Sequence, residues 1–146
     1  MKQQRVVGTR RRLKIVTKCG SFYLNATAKG LYSLSLLKKV NQGRQKLTSM
    51  KALRAMKIDY TGYTLFERRV LKALSRTKLG ETLSYAELAR CAGFPGASRA
   101  VGAVMKKNRL PLILPCHRVL AANGGLGGYS QGLRLKRKLL DLEKGS

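Results

Sequence analysis

The apolar and polar positions along this chain predict two dissimilar halves. Near the start, Leu13-Lys14-Ile15-Val16 is a predicted strand. Residues 22–27 and 31–36 then flank Ala28-Lys29-Gly30, with glycine at a turn position, which is the pattern of a β-hairpin. Residues 47–57 place Leu53 and Met56 in helical phase, and residues 59–64 read as a connector broken at Gly62. From Leu65 the pattern turns helical: Phe66, Val70, Ala73 and Leu74 fall at i, i+4, i+7 and i+8 and form one apolar stripe. Gly80 marks a turn. Ser84-Tyr85-Ala86-Glu87 is a capping box that starts a helix through Leu88, Ala89 and Ala92, with Gly93 closing it. After Phe94-Pro95-Gly96 a second helix starts near Ala97 and turns Val101, Val104 and Met105 inward. The run Leu110-Pro111-Leu112-Ile113-Leu114-Pro115, apolar and bracketed by prolines, predicts a short buried extended segment that Pro115 ends. A last helix is predicted over residues 133–143, with Leu135, Leu139 and Leu142 on its inner face.

These elements assemble into an α/β (α+β) chain of two parts. Residues 1–62 form a small N-terminal α/β scaffold in which no residues have catalytic spacing, and its first twelve residues read as a loose basic arm. Residues 63–146 form a mainly helical domain. Its two short helices joined by a Gly/Pro turn describe either a helix-turn-helix or an ordinary helical hairpin. The second helix, Ala97-Ser98-Arg99-Ala100-Val101-Gly102-Ala103, carries one long side chain among small ones. A major-groove reader normally offers several long polar side chains to base edges. This helix suits close, sequence-tolerant docking instead, with Arg99 projecting alone as a wedge.

Charge sharpens the choice. Lys plus Arg number 31 against 6 Asp plus Glu, a formal charge of +25. Such an imbalance strains the compact state by self-repulsion and is most easily explained by a polyanionic partner. Nucleic acid is the first candidate, an anionic membrane surface the second, and a solvated cationic surface the third. The apolar fraction of 44% supports a real core and argues against global disorder. No apolar run approaches the roughly 18 residues of a membrane span, and the basic N-terminus lacks a signal peptide's apolar core. Three cysteines, Cys19, Cys91 and Cys116, cannot all pair within one chain, which fits a reducing interior and leaves a Cys19–Cys91 disulfide open. One histidine and no Cys-x-x-Cys make a structural zinc site improbable. The expectation is a soluble intracellular protein with no metal or other cofactor.

The candidate chemistry follows the proline-bracketed run. Cys116, His117 and Arg118 put a thiol, the chain's single imidazole and a guanidinium in consecutive positions. A thiolate is strongly nucleophilic once a neighbour lowers its pKa, although an isolated cysteine is also a good small core residue. Adjacency is not contact, because successive side chains of an extended backbone point to opposite faces. Residues 121–128, rich in glycine, form a loop that closes over a bound base or is a plain surface hairpin. Glu143, at the end of the last helix, opposes the helix dipole and so invites another reason for its placement.

Pro115-Cys116-His117-Arg118-Val119 resembles the active-site motif of the O6-alkylguanine-DNA alkyltransferases. Ser84-Tyr85, Arg99-Ala100-Val101-Gly102, Asn108, Gly128-Tyr129-Ser130 and the stretch from Lys136 to Glu143 fall at matching separations. The resemblance runs over residues 66–143 and more weakly over the hairpin at 20–36. It implies a ribonuclease H-like N-terminal domain and a winged helix-turn-helix. It implies DNA repair by transfer of an alkyl group from O6-alkylguanine to Cys116 in one irreversible turnover, and leaves O4-alkylthymine open as a second substrate. In that scheme His117, through a water and oriented by Glu143, draws off the thiol proton. Arg99 enters the minor groove where the flipped nucleotide leaves space, with Ala97, Ser98, Ala100 and Gly102 of the same helix lying along the DNA. Tyr85 presses on a phosphate and hydrogen-bonds the guanine ring, or is simply a core aromatic. The Val119 carbonyl and the Ser130 N–H face the base, Asn108 braces the turn after the helix, and Tyr129 and Lys136 line the pocket. The implied partner is double-stranded DNA met by a monomer, in the cytoplasm, the nucleoid or the nucleus. Gln131 has no role, and the short N-terminal domain lacks the zinc ligands of some members. The rival readings are a non-catalytic damage-binding protein of the alkyltransferase-like type, in which the acceptor cysteine is missing, a Cys-His-Glu hydrolase, and a basic structural nucleic-acid protein.

Overall fold

The computed structural model describes residues 11–17, 20–36 and 50–145. The chain divides between Asp59 and Tyr60 into two compact units. In the first, β1 (Arg11–Thr17), β2 (Gly20–Thr27) and β3 (Gly30–Leu36) form an antiparallel sheet in chain order. The strand at 13–16 is therefore longer than its apolar core, and Arg11 and Arg12 belong to it rather than to a loose arm. Residues 1–10 of that arm lie outside the described residues. Because a strand turns alternate residues to one face, Ile15, Phe22, Leu24 and Leu34 share the buried side.

One short helix, α1 (Met50–Arg54), supplies Leu53 to this core. The helical phase of residues 47–57 breaks after Arg54, and Met56 is exposed rather than buried. The reason is a competing backbone pairing. Leu31 N–H donates to Lys57 C=O and Asp59 N–H donates to Leu31 C=O, each at 2.8 Å, so the chain must extend at Ile58 to lie beside Leu31. Gly30 makes that approach feasible: its φ is +137°, and a Cβ there would sit 2.3 Å from Lys57 O. Asp59 is buried and accepts from the Thr27 hydroxyl at 2.6 Å.

The second unit is helical. Thr64 caps α2 (Leu65–Ser75) in a capping box with Glu67, a start signal hidden in the predicted connector. Val70, Leu71 and Leu74 of α2 are fully buried. A two-residue strand β4 (Leu83–Ser84) leads into α3 (Tyr85–Cys91), with the expected Ser84/Glu87 capping box in place. Gly93 (φ +86°) then ends α3: its N–H and that of Phe94 donate to the Arg90 and Ala89 carbonyls, both at 2.9 Å. A turn leads to α4 (Ser98–Lys107), with Val101, Val104 and Met105 inward as the pattern predicts. The strand β5 (Val119–Leu120) pairs parallel with β4, and no wing hairpin is assigned among the described residues. The last helix, α5 (Leu133–Lys144), buries Lys136, Leu139 and Leu140, while Leu142 is exposed and Leu135 only half-buried. The inner face is thus rotated from the leucine spacing, because a lysine occupies it. No described helix is long and apolar enough to cross a membrane.

Candidate active site

The route from α4 to Cys116 is a tied turn, not the extended segment the apolar run predicts. Leu110 C=O accepts from Leu114 N–H at 2.8 Å, and Leu112 takes φ +75°. The run is buried throughout, but two prolines in a short span cannot supply a ladder's donors, so the segment closes on itself. Asn108 holds both ends. Its Oδ1 accepts from Leu110 N–H at 3.0 Å and its Nδ2 donates to Leu114 C=O at 2.9 Å. Tyr63 brackets Asn108 in turn, accepting from Arg109 N–H and donating to Lys107 C=O, each at 3.0 Å. Cys116–Arg118 follows as one 3-10 turn, which sends consecutive side chains in different directions.

His117 and Arg118 both reach Glu143 on α5. His117 Nε2 lies 2.7 Å from Glu143 Oε1, while Arg118 donates to both carboxylate oxygens, Nε to Oε2 and Nη2 to Oε1, each at 2.9 Å. Arg118 Nη1 donates further to Thr77 C=O at 2.7 Å and to Thr77 Oγ1 at 3.1 Å. Burial pushes the Glu143 carboxyl up, but hydrogen bonds from Arg118 and His117 outweigh it and hold the group below its ordinary range. Glu143 thus stays anionic beside the imidazole. That accounts for an acid at a helix C-terminus. Arg118, to which no role attached in the sequence, is the buried guanidinium that fixes this carboxylate; its signal was its place in the Cys-His-Arg run.

Cys116 lines a cavity of about 620 Å³. Tyr85, Arg99, Gly102, Tyr129 and Ser130 line this space with it. Met105 and Lys106 line it too; the helical period marks Met105 as a core position only and gives no sign of Lys106. Burial pushes the Cys116 thiol up, opposed by hydrogen bonding with Asn108 and Tyr129 and by the charge of Lys136. Burial and the nearby Cys116 likewise raise the Tyr85 phenol, keeping its O–H a donor. Ser98 joins Tyr85 and Arg99 around a second cavity of about 340 Å³, whereas Ala97 caps α4 and Ala100 faces outward.

Lys136 is not on the pocket wall. It is fully buried, and its ammonium donates to Val119 C=O at 2.6 Å, Gly128 C=O at 3.2 Å and Leu126 C=O. Desolvation lowers its pKa. Asn108 and Val119 are likewise not among the residues lining the cavity, although Asn108 and Lys136 both act on the Cys116 thiol. The glycine-rich residues 121–128 form a tight surface turn, with Ala121 N–H donating to Gly125 C=O at 2.9 Å, and Gly127 lies against Tyr85. Cys91 carries a free, exposed thiol, and Cys19 lies outside the described residues.

A thiol lining a pocket, followed in sequence by an imidazole held to a carboxylate, is an arrangement suited to a cysteine nucleophile. Residues 65–145 match the family described as "6-O-methylguanine DNA methyltransferase, DNA binding domain". A methylated-DNA--protein-cysteine methyltransferase of Mycobacterium leprae is 49% identical over 90 residues, 62% of this chain and 54% of that protein. The crystal structure of Mycobacterium tuberculosis O6-methylguanine methyltransferase superposes with a TM-score of 0.76 at 33% identity, covering 94% of both chains. The same organism's protein in complex with DNA gives 0.74 at 34%, covering 92% of each. The chain belongs to the 6-O-methylguanine DNA methyltransferase family. It spans about half the length of the curated relatives it matches.

Proposed function

We propose that this protein repairs alkylated DNA by taking the alkyl group from guanine O6 onto its own Cys116, once per molecule. The observation that carries this reading is Cys116 lining the pocket while the next residue, His117, is held by Glu143. Burial keeps the resting thiol protonated, so a base is needed at the moment of reaction. His117 takes the thiol proton through a water, and Glu143 stabilises the imidazolium that forms. The Sγ–C bond forms as the C–O6 bond breaks. Tyr85 donates a hydrogen bond to the leaving guanine ring and stabilises the negative charge that develops on it, and the base then takes up a proton, from the imidazolium through the water or from solvent, to leave neutral. The Ser130 N–H faces O6, and Tyr129 closes the pocket. The thioether left on Cys116 has no hydrolysable bond, so each molecule reacts once.

The same reading gives the pocket's surroundings their work. α4 lies along the minor groove with Ala97, Ser98, Ala100 and Gly102 against the DNA, and Arg99 fills the space of the flipped nucleotide. Residues 63–146 carry this chemistry and residues 1–62 the scaffold, and the protein acts as a monomer in the compartment that holds the DNA. O4-alkylthymine, a base with the same displaceable group, is a second substrate.

The test is intact-protein and peptide mass spectrometry after incubation with duplex DNA containing one O6-methylguanine. One methyl on the Cys116 peptide, saturating at one per protein, is expected. Tight binding with no mass change would make this a damage-recognition protein, and catalytic turnover without a stable adduct would make it a hydrolase.

A further inference from the structure

The first unit carries charge that the pocket does not use. Residues 1–59 contain 15 Lys and Arg and one acid, Asp59, a formal charge of +14. That acid is buried and engaged with Thr27, so it neutralises none of the surface. Among the described cations of the unit, Arg12 and Lys14 stand on one face of the sheet. Register places Arg12 opposite Asn25 and Lys14 opposite Tyr23, then Asn25 opposite Ser33 and Tyr23 opposite Ser35. This face is the reverse of the one that buries Ile15, Phe22, Leu24 and Leu34.

The grid is polar and already organised. The Arg12 guanidinium lies 3.8 Å above the Tyr23 ring. Stacking of this kind holds the plane of the fork while leaving its edge donors for phosphate oxygens. Asn25 Nδ2 donates to Ser33 Oγ at 2.9 Å, fixing the amide beside it. A cationic, acid-free face with a pre-oriented guanidinium, an amide and hydroxyls is chemically complementary to a sugar–phosphate backbone and carries no base-reading geometry.

We propose that this outer face of the β1–β2–β3 sheet is a second, sequence-independent contact for the DNA backbone, centred on Arg12 and Lys14. The choice of DNA as occupant rests on the function proposed above; the surface itself does not. Its role is retention: the pocket needs one damaged nucleotide, whereas this face holds any stretch of duplex.

The experiment uses the full chain and undamaged duplex DNA, with binding measured across a range of salt. Each phosphate contact contributes about 0.9 to the slope of log K against log salt. The double variant Arg12→Gln, Lys14→Gln is expected to lower the slope by about 1.8. The variant Lys51→Gln, Arg54→Gln removes the same charge from α1 and is expected to leave the slope unchanged. Equal changes in both pairs, or none in either, would overturn the proposal, as would lost binding to anionic lipid vesicles with DNA binding intact. Both variants keep Cys116 alkylation by a free O6-alkylguanine base. If wild-type Cys116 accepts no alkyl group while the slope falls as expected, the repair function fails and the DNA-binding face stands.

Discussion

Replacing Glu143 by glutamine keeps the shape of the buried cluster and removes its one negative charge. The carboxylate accepts from His117 Nε2 at 2.7 Å, from Arg118 through two nitrogens, and from Gly80 N–H at 3.3 Å. A glutamine offers one acceptor oxygen and turns an N–H2 group toward donors, so at least one of these contacts becomes donor against donor. Arg118, with 2% of its side chain exposed, is left without a counter-ion. Breaking a buried pair by removing one partner costs about 3–5 kcal/mol. Thr77 still accepts two of the Arg118 bonds, which places the expected loss at the lower end, about 3 kcal/mol. Domains of this kind have about 5–15 kcal/mol in total, so the variant should fold.

Urea unfolding at neutral pH, repeated toward acid, measures this loss and its electrostatic origin. The folded Glu143 carboxyl lies below its ordinary value of 4.5. Its stabilisation is therefore fully present above that value and is lost as pH falls through the lower folded pKa. The gap between wild type and Glu143→Gln should be largest at neutral pH and should shrink on acidification. A destabilisation under about 1 kcal/mol, or a gap that does not change with pH, would refute the cluster's role as a buried ion pair. On the proposed function, alkylation of Cys116 should slow as well, since the imidazole loses its anchor.

Three further outcomes are expected. Lys136→Met leaves three carbonyls short of a donor and should cost roughly 3 kcal/mol, with faster amide hydrogen exchange across residues 119–128; unchanged exchange there would deny the lysine its clamping role. Ser84→Ala removes the hydroxyl that accepts from Glu87 N–H at 3.2 Å and should cost about 1 kcal/mol in thermal or urea unfolding, while Ser84→Gly should cost only a few tenths. Gly30→Ala combines a left-handed φ with a Cβ 2.3 Å from Lys57 O and should cost upwards of ~2 kcal/mol; a neutral effect would mean the Leu31–Ile58 bridge is dispensable.

What could be read from the chain was whatever depends on neighbours in sequence. The hairpin, the Ser84 capping box, the Gly93 stop and the inner face of α4 are local: each is set by a turn residue, a cap or a helical period within a few positions. The cysteine, the imidazole and their order were equally visible, and the pattern of spaced motifs pointed to the family. The misses have one cause. Met56 left its helical phase because a strand edge recruited Ile58. The apolar run at 110–114 read as extended but closed into a turn because Asn108 clamps it. Leu142 lost its place in the core to Lys136, since α5 is turned by what its lysine can bond.

The residue types and their spacing thus determined a strongly cationic chain, a thiol next in sequence to an imidazole and a helix rich in small residues. Only the tertiary structure decided which groups meet. Glu143 is 26 positions from His117 and Arg118 is 41 from Thr77, and no local preference encodes such pairings. They form because burying a charge is costly until it finds its partners, so the fold settles where the carboxylate, the guanidinium and the imidazole satisfy one another and Lys136 reaches three carbonyls.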